Sequence, residues 1–229
     1  MPSQIAVLLT LFSVLSIGGF ADPLLPETEF SVRPGRAGMH TVEELLANPT
    51  KVEFEVDSWK HEGSRIIRAV NDVHAVYPYP VELFLQELLD YENNENIFPR
   101  VSESVLEYSS EDPFGKHSLR IHMEVKVLGF GADYTYVTDN WTEKNGSGYL
   151  MKYNLNRCPD GTLYQLLGSW YVEEITYKGE PHTYIRNYAI LGIQKGSLPM
   201  EIAMRAFGIW QLKSVFENIA QAVAATATQ

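Results

Sequence analysis

One cysteine, Cys158, stands in a chain of 229 residues. An internal disulfide is therefore excluded, and so is a zinc site built on cysteine. Positive charge is scarce as well: 18 Lys and Arg face 29 Asp and Glu, a formal net charge of −11. Nucleic acid needs a clustered basic surface, and electrostatic docking onto anionic lipid needs a basic face, so both are disfavoured. The usual enzyme signatures are missing too. "HEGS" at 61–64 lacks the second histidine of a zinc-binding helix, and "GFGADY" at 129–134 lacks the third glycine of a dinucleotide loop. No serine sits in a nucleophile elbow. His117 and His122 fall on opposite faces of one strand and cannot share a metal. Asp72 and His74 share a face but bring no third group, and Cys158 in "NRCPDG" reads as a loop residue with no base beside it. No metal and no cofactor is called for.

What is present points to a β-rich protein with one aromatic, apolar interior. Hydrophobic residues make up 45% of the chain, enough for one sizeable domain, and 13 Tyr, 10 Phe and 4 Trp supply bulk. The apolar run "IAVLLTLFSVLSI" at 5–17 is too short for a comfortable span and is followed by Gly19 and Ala21. It reads as a signal peptide over 1–21, placing the mature protein outside the cytoplasm, secreted or periplasmic. The start "MPSQ" has no Lys or Arg, so an uncleaved N-terminal anchor is the alternative. Asn140-Trp-Thr142 and Asn145-Gly-Ser147 match the glycosylation acceptor pattern, which matters only in a eukaryotic source.

Residues 22–64 read as a linker, interrupted by a short helix at "TVEELLAN" and an accessory strand at "KVEFEV". A main domain over 65–226 follows. Its first strand, 65–76, ends at Pro78 and Pro80. "VELFLQELLDY" then has helical spacing, and "ENNENIFPR" closes as a second short helical piece. From Val101 the period is two. In "HSLRIHMEVKV", Leu119, Ile121, Met123, Val125 and Val127 form a dry face against a wet face of alternating polar residues. Asp160-Gly161 marks a hairpin. Seven antiparallel strands are expected from residue 65 onward. A long helix from Pro199 to about Ala225, capped by Ser197 or Leu198, ends the chain.

Three stretches, "VYPYPVELFLQELLDYENNENIFPRV", "LLGSWYVEE" and "LPMEIAMRAFGIWQL", together with this order of elements, resemble the START-like helix-grip superfamily. That group includes birch pollen allergen relatives, polyketide cyclase-like proteins and coenzyme Q-binding proteins. The resemblance covers about residues 65–225. It implies an α+β fold: a curved seven-stranded antiparallel sheet wrapped around the long C-terminal helix, with two short helices after the first strand. A cavity between sheet and helix is implied with it, holding a lipid, sterol, quinone or polyketide-like molecule in many relatives.

Dry-face positions supply the ligand-binding candidates: Met123 and Val125, then Tyr134 and Tyr136, with Trp170 and Tyr188 from late strands whose phase is ambiguous. The helix supplies Ile209, Leu212 and Phe216, on a stripe that begins at Ile202 and Ala206. Arg205 projects into that stripe and either escapes to solvent at its edge, pairs internally with a strand carboxylate, or serves as a cation for a ligand's polar head. Arg186 alternates with Tyr184 and Tyr188, so it is a wet-face residue or a second cavity cation.

The leading expectation is an exported, monomeric protein that binds or carries an apolar small molecule, without nucleic acid and without stable membrane insertion after processing. A cyclase, dehydratase or hydrolase acting in the same cavity is the enzyme alternative, and an interaction module with a closed core is the third. Intact-mass measurement on exported protein is expected to show a chain beginning near Asp22. Retention of Met1 would identify the anchored form instead.

Overall fold

The computed structural model describes residues 40–127 and 130–228, with the backbone only for residues 125–127 and 130–132. The leader expected over 1–21 lies outside the described residues. Thr41 opens the first helix, α1 (Val42–Ala47), through a capping box. Its hydroxyl accepts from the Glu44 amide at 3.2 Å, and the Glu44 carboxylate accepts from the Thr41 amide at 2.8 Å.

Strands β1 (Thr50–His61) and β2 (Ser64–Tyr77) form a hairpin through Glu62 and Gly63, both at positive φ, as a two-residue turn between twisted strands requires. Pro80 caps α2 (Val81–Leu89), a 3-10 turn covers Tyr91–Asn93, and α3 (Asn94–Ile97) follows. These short pieces are the two expected after "VYPYP". The remaining strands are β3 (Val101–Ser109), β4 (His117–Val127), β5 (Phe130–Asn145), β6 (Gly148–Arg157), β7 (Leu163–Tyr177) and β8 (Glu180–Gly196).

All pairings are antiparallel, in the order β1-β2-β8-β7-β6-β5-β4-β3. The sheet therefore has eight strands, not seven. The "KVEFEV" strand expected to decorate the domain is β1, paired with β2 from Thr50 to His61, and the boundary expected at residue 65 falls inside that hairpin. Alternation alone could not show this, because an edge strand and a detached one carry the same pattern. Register shifts between Arg65 and Ile67, Leu163 and Gln165, and Val137 and Thr138 are places where such a sheet bends.

The last helix, α4 (Leu198–Thr226), starts at the Ser197 cap with Pro199 in its first turn. Its 29 residues span about 43 Å at 1.5 Å per residue. The C-terminal half is seated tightly. Phe216, Ile219 and Val223 are fully buried against Val73, Val172 and Ile185 of the sheet. Three polar ties hold that half: Tyr77 Oη donates to the Phe216 carbonyl at 3.3 Å, Asn218 Nδ2 to the Ile97 carbonyl at 2.9 Å, and Thr226 Oγ1 to Glu87 Oε1 at 2.9 Å. In the N-terminal half, Gly208 lets the helix approach β1, since a Cβ there would collide with the Phe54 ring.

On the opposite, convex face, Arg186 donates to both carboxylate oxygens of Asp72, at 2.8 and 2.7 Å, with both side chains about 5% exposed or less. His74 Nε2 lies 3.2 Å from Asp72, and its Nδ1 is 2.8 Å from Tyr184 Oη. His40 meets the His74 ring edge-on, and Leu45 of α1 packs with Tyr184, Tyr171 and Val76 beside it. Arg186 is thus neither a wet-face residue nor a cavity cation, but the buried partner of Asp72. Burial alone would raise the Asp72 carboxyl; the Arg186 hydrogen bonds and the nearby His74 outweigh it and hold it well below the usual carboxylate range.

A depressed folded-state carboxyl supplies stability above its unfolded value, about pH 4, and that stability is lost as pH falls through and below it. Chemical unfolding followed from pH 7 to pH 2 should show that decline. At pH 7, Arg186→Met is expected to cost about 3–5 kcal/mol by stranding the Asp72 charge, and Asp72→Leu added to it should recover most of the loss.

Candidate functional site

The pleat sorts the sheet into two sets. Register pairs Leu119 with Thr138 and Met123 with Tyr134, while Met151 stands opposite Trp170 and Tyr153 opposite Gly168. These positions point to the concave side. Ser118, Arg120 and His122 point away, where they meet Asp139, Glu103 and Asp133. Between the concave face and the first half of α4 lies a cavity of about 340 Å³, bounded by α2, α3 and the β3–β5 end of the sheet. That volume is at the small end of the range of about 300–1,000 Å³ for small-molecule sites.

Four of the ten sequence candidates border this cavity: Met123, Tyr136, Trp170 and Leu212. Two others lie at its ends. Tyr134 is buried in the cluster that closes one end, where its hydroxyl and that of Tyr136 donate to Met123 Sδ at 3.7 and 3.5 Å. Burial pushes the Tyr134 phenol up to about 12 and that of Tyr136 higher still. Phe216 closes the other end as core, its ring 5.4 Å from that of Trp170. The side chain of Val125 lies outside the described residues.

The other three are elsewhere. Tyr188 sits on the convex face with Leu167, Ile190 and Val70, because Asn187 and Ala189 take the inward positions of β8. Ile209 is 45% exposed, on the outer side of α4 with Ile202, Phe207 and Trp210. Arg205 is half exposed and pairs with Glu201 one turn earlier, at 3.1 Å. The cause is a phase ambiguity. The first half of α4 carries apolar residues on more than one side, and the stripe that faces the sheet is Met204, Gly208, Gln211, Leu212 and Val215, not the one through Ile202, Ala206 and Ile209. Met123 accordingly packs with Met200 and Met204 rather than with Ile209 and Phe216.

Sequence reasoning missed the polar part of the lining. Asn71 Nδ2 donates to Asn187 Oδ1 at 2.8 Å, and Asn187 Nδ2 donates to the Ser169 carbonyl at 3.3 Å and to Tyr153 Oη at 3.4 Å. All three side chains border the cavity. Gly168 lets Tyr153 lie flat across β7, since a Cβ there would meet the Tyr153 hydroxyl and the Tyr188 carbonyl. Burial pushes the Tyr153 phenol up to about 12, so it stays protonated. The available signal was a polar residue at a dry-face position: Asn71 between Ala69 and Val73, and Asn187 between Ile185 and Ala189.

Charge is kept off this surface. Lys152 borders the cavity, but it alternates with Met151 and Tyr153, and its Nζ pairs with Glu143 at 2.6 Å. Arg100, held at φ 78°, lies at the margin of the lining beside Tyr134 and Gln211, and the Gln211 amide oxygen, turned toward it, accepts from its Nε at 2.8 Å. Asn140 also borders the cavity and donates to Thr138 Oγ1 at 3.0 Å, so this acceptor pattern points inward, whereas Asn145 ends the β5 strand at a hairpin. Cys158 is half-buried, its Sγ donating to Asp160 at 3.0 Å, and burial raises its thiol. No group of His, Cys, Asp and Glu suited to a metal occurs among the described residues.

This geometry, a curved antiparallel sheet gripping one long helix over a cavity, is the START-like helix-grip fold. No family model matches the sequence, and no curated protein matches it either. Solved structures do. A STAR-related lipid transfer protein from Xanthomonas axonopodis superposes with a TM-score of 0.52 at 12% identity, over 75% of this chain and 98% of that one. Human STARD10 gives 0.52 at 12% identity, over 75% and 73%. A START superfamily protein from Mycobacterium smegmatis gives 0.50 at 10%, over 69% and 98%. At such identities the likeness is one of fold.

Arg205→Met is expected to leave both the unfolding midpoint and probe binding unchanged, because the arginine belongs to an exposed pair one turn apart. A clear loss of either, measured by chemical unfolding and by titration with an uncharged fluorophore, would return it to the interior.

Proposed function

We propose that the protein binds and carries a small, predominantly apolar molecule in the cavity between the sheet and α4. The observation that carries this reading is the cavity itself: about 340 Å³, bordered by Trp170, Met151, Ile121, Leu191 and Leu212, with no ion pair among the side chains that face it. A space of this size bordered by apolar side chains favours an apolar guest, because each buried CH₂ contributes about 0.8 kcal/mol. A solved structure of the same fold that is named a STAR-related lipid transfer protein agrees with it. Carriage outside the cytoplasm suits the apolar segment at 5–17, which we read as an export signal. Among the described residues, no helix is long and apolar enough to cross a membrane.

Two measurements test the proposal. Native mass spectrometry of protein purified from its own source should show a small apolar molecule bound in one copy. Ala189→Phe, which projects a ring from the floor of β8, should abolish that retention while costing less than about 1 kcal/mol of stability. In a closed core the same enlargement would cost about 1–3 kcal/mol. A strongly destabilised variant, or one that still carries its full complement of ligand, would contradict the proposal.

A further inference from the structure

The polar network inside the cavity says what kind of head the guest has. We infer that Asn71, Asn187 and Tyr153 form an uncharged anchor for one hydroxyl group on an otherwise apolar ligand, selecting a neutral alcohol over an anionic lipid. This inference rests on the binding function proposed above and specifies its ligand class.

The hydrogen-bond arithmetic of the three side chains leads there. Asn187 is saturated on the sides that matter: its Oδ1 accepts from Asn71, and its Nδ2 donates to the Ser169 carbonyl and to Tyr153 Oη. The Tyr153 oxygen thus serves as an acceptor, and its side chain borders the cavity with no acceptor for its own proton among the described residues. On the other side, Asn71 uses Nδ2 on Asn187, and its Oδ1 accepts no hydrogen bond among the described residues. The cavity therefore presents donors at Tyr153 Oη and at the second N–H of Asn71, with an acceptor at Asn71 Oδ1, around Asn187. A hydroxyl uses both kinds, a ketone uses only the donors, and a hydrocarbon uses neither.

The same surface is hostile to charge. Lys152 turns its ammonium to the opposite face and Arg205 lies outside, while Arg100, at the margin beside Tyr134 and Gln211, is not among the residues that border the cavity. A carboxylate carried to the Asn187 position would lose its hydration with no cation facing it, which is costly. A buried phenol that remains protonated adds a donor but no charge. Asp72 and Arg186, the neighbours of Asn71 and Asn187 in sequence, pair with each other beyond the sheet.

The test uses the intact protein and N-phenyl-1-naphthylamine, an uncharged fluorophore, displaced by 1-decanol, 2-decanone or decanoate at pH 8. The expected order of displacement is decanol first, decanone next, and decanoate at least about tenfold weaker than decanol. Tyr153→Phe keeps the ring and removes only the hydroxyl. It should weaken decanol about three- to tenfold more than it weakens the fluorophore, whose own affinity for the variant is measured as the reference. Decanoate competing as well as decanol would overturn the inference and leave the cavity function standing. Equal decanol affinity in the Tyr153→Phe protein would overturn it likewise. Failure of the wild-type protein to bind the fluorophore at all would remove the binding function, and the inference with it.

Discussion

A straight helix cannot follow a curved sheet along its whole length, and the architecture turns on where the two are allowed to part. Bulges bend the sheet, while α4 keeps one axis from its Ser197 cap to Thr226. Phe216, Ile219 and Val223 settle in one core with residues of β2, β7 and β8, and hydrogen bonds to Ile97 and Glu87 tie that half to α3 and α2. Toward the N-terminus, Gly208 brings the helix down onto Phe54 at the β1 edge, so the space between is roofed by the helix and floored by the central strands. Trp170 and Phe216 mark one end of it and the Tyr134–Tyr136–Met123 cluster the other.

The two faces of the sheet handle polar groups in opposite ways. On the convex face, two full charges are buried together and satisfied by each other, with His74, Tyr184 and α1 sealing them from water. Such a pair is specific to its geometry and adds little net stability, but it is intolerant of losing one member. On the concave face, the polar residues are amides and a phenol that partly satisfy one another. Neutral groups cost less to expose to an apolar space than ions do, which lets a cavity be polar at one spot and still receive an apolar molecule.

Much of this was legible from the order of elements. The helix at "TVEELLAN", the proline before α2, the alternation in "HSLRIHMEVKV" and the Ser197–Pro199 start of α4 all correspond to elements that formed. Leu119, Ile121 and Met123 face inward because a period of two leaves a strand with one wet and one dry side no choice. Where both sides of an element are apolar, that logic fails. Tyr188 lies in a strand buried on both faces, and Ile209 lies in a half-helix with apolar residues on more than one side, so the residues left the phase open.

The local chemistry of the chain, then, determined which segments became strands and which became helices, because capping, turn geometry and alternation act between residues a few positions apart. The sequence by itself also ruled out disulfides and cysteine-zinc chemistry. Only the tertiary structure decided that β1 completes the sheet, that Asp72 meets Arg186 across 114 positions, and that Asn71, Asn187 and Tyr153 converge from three strands. Those arrangements depend on sheet order and on which side of a doubly apolar helix turns inward, and both are settled by packing between distant segments.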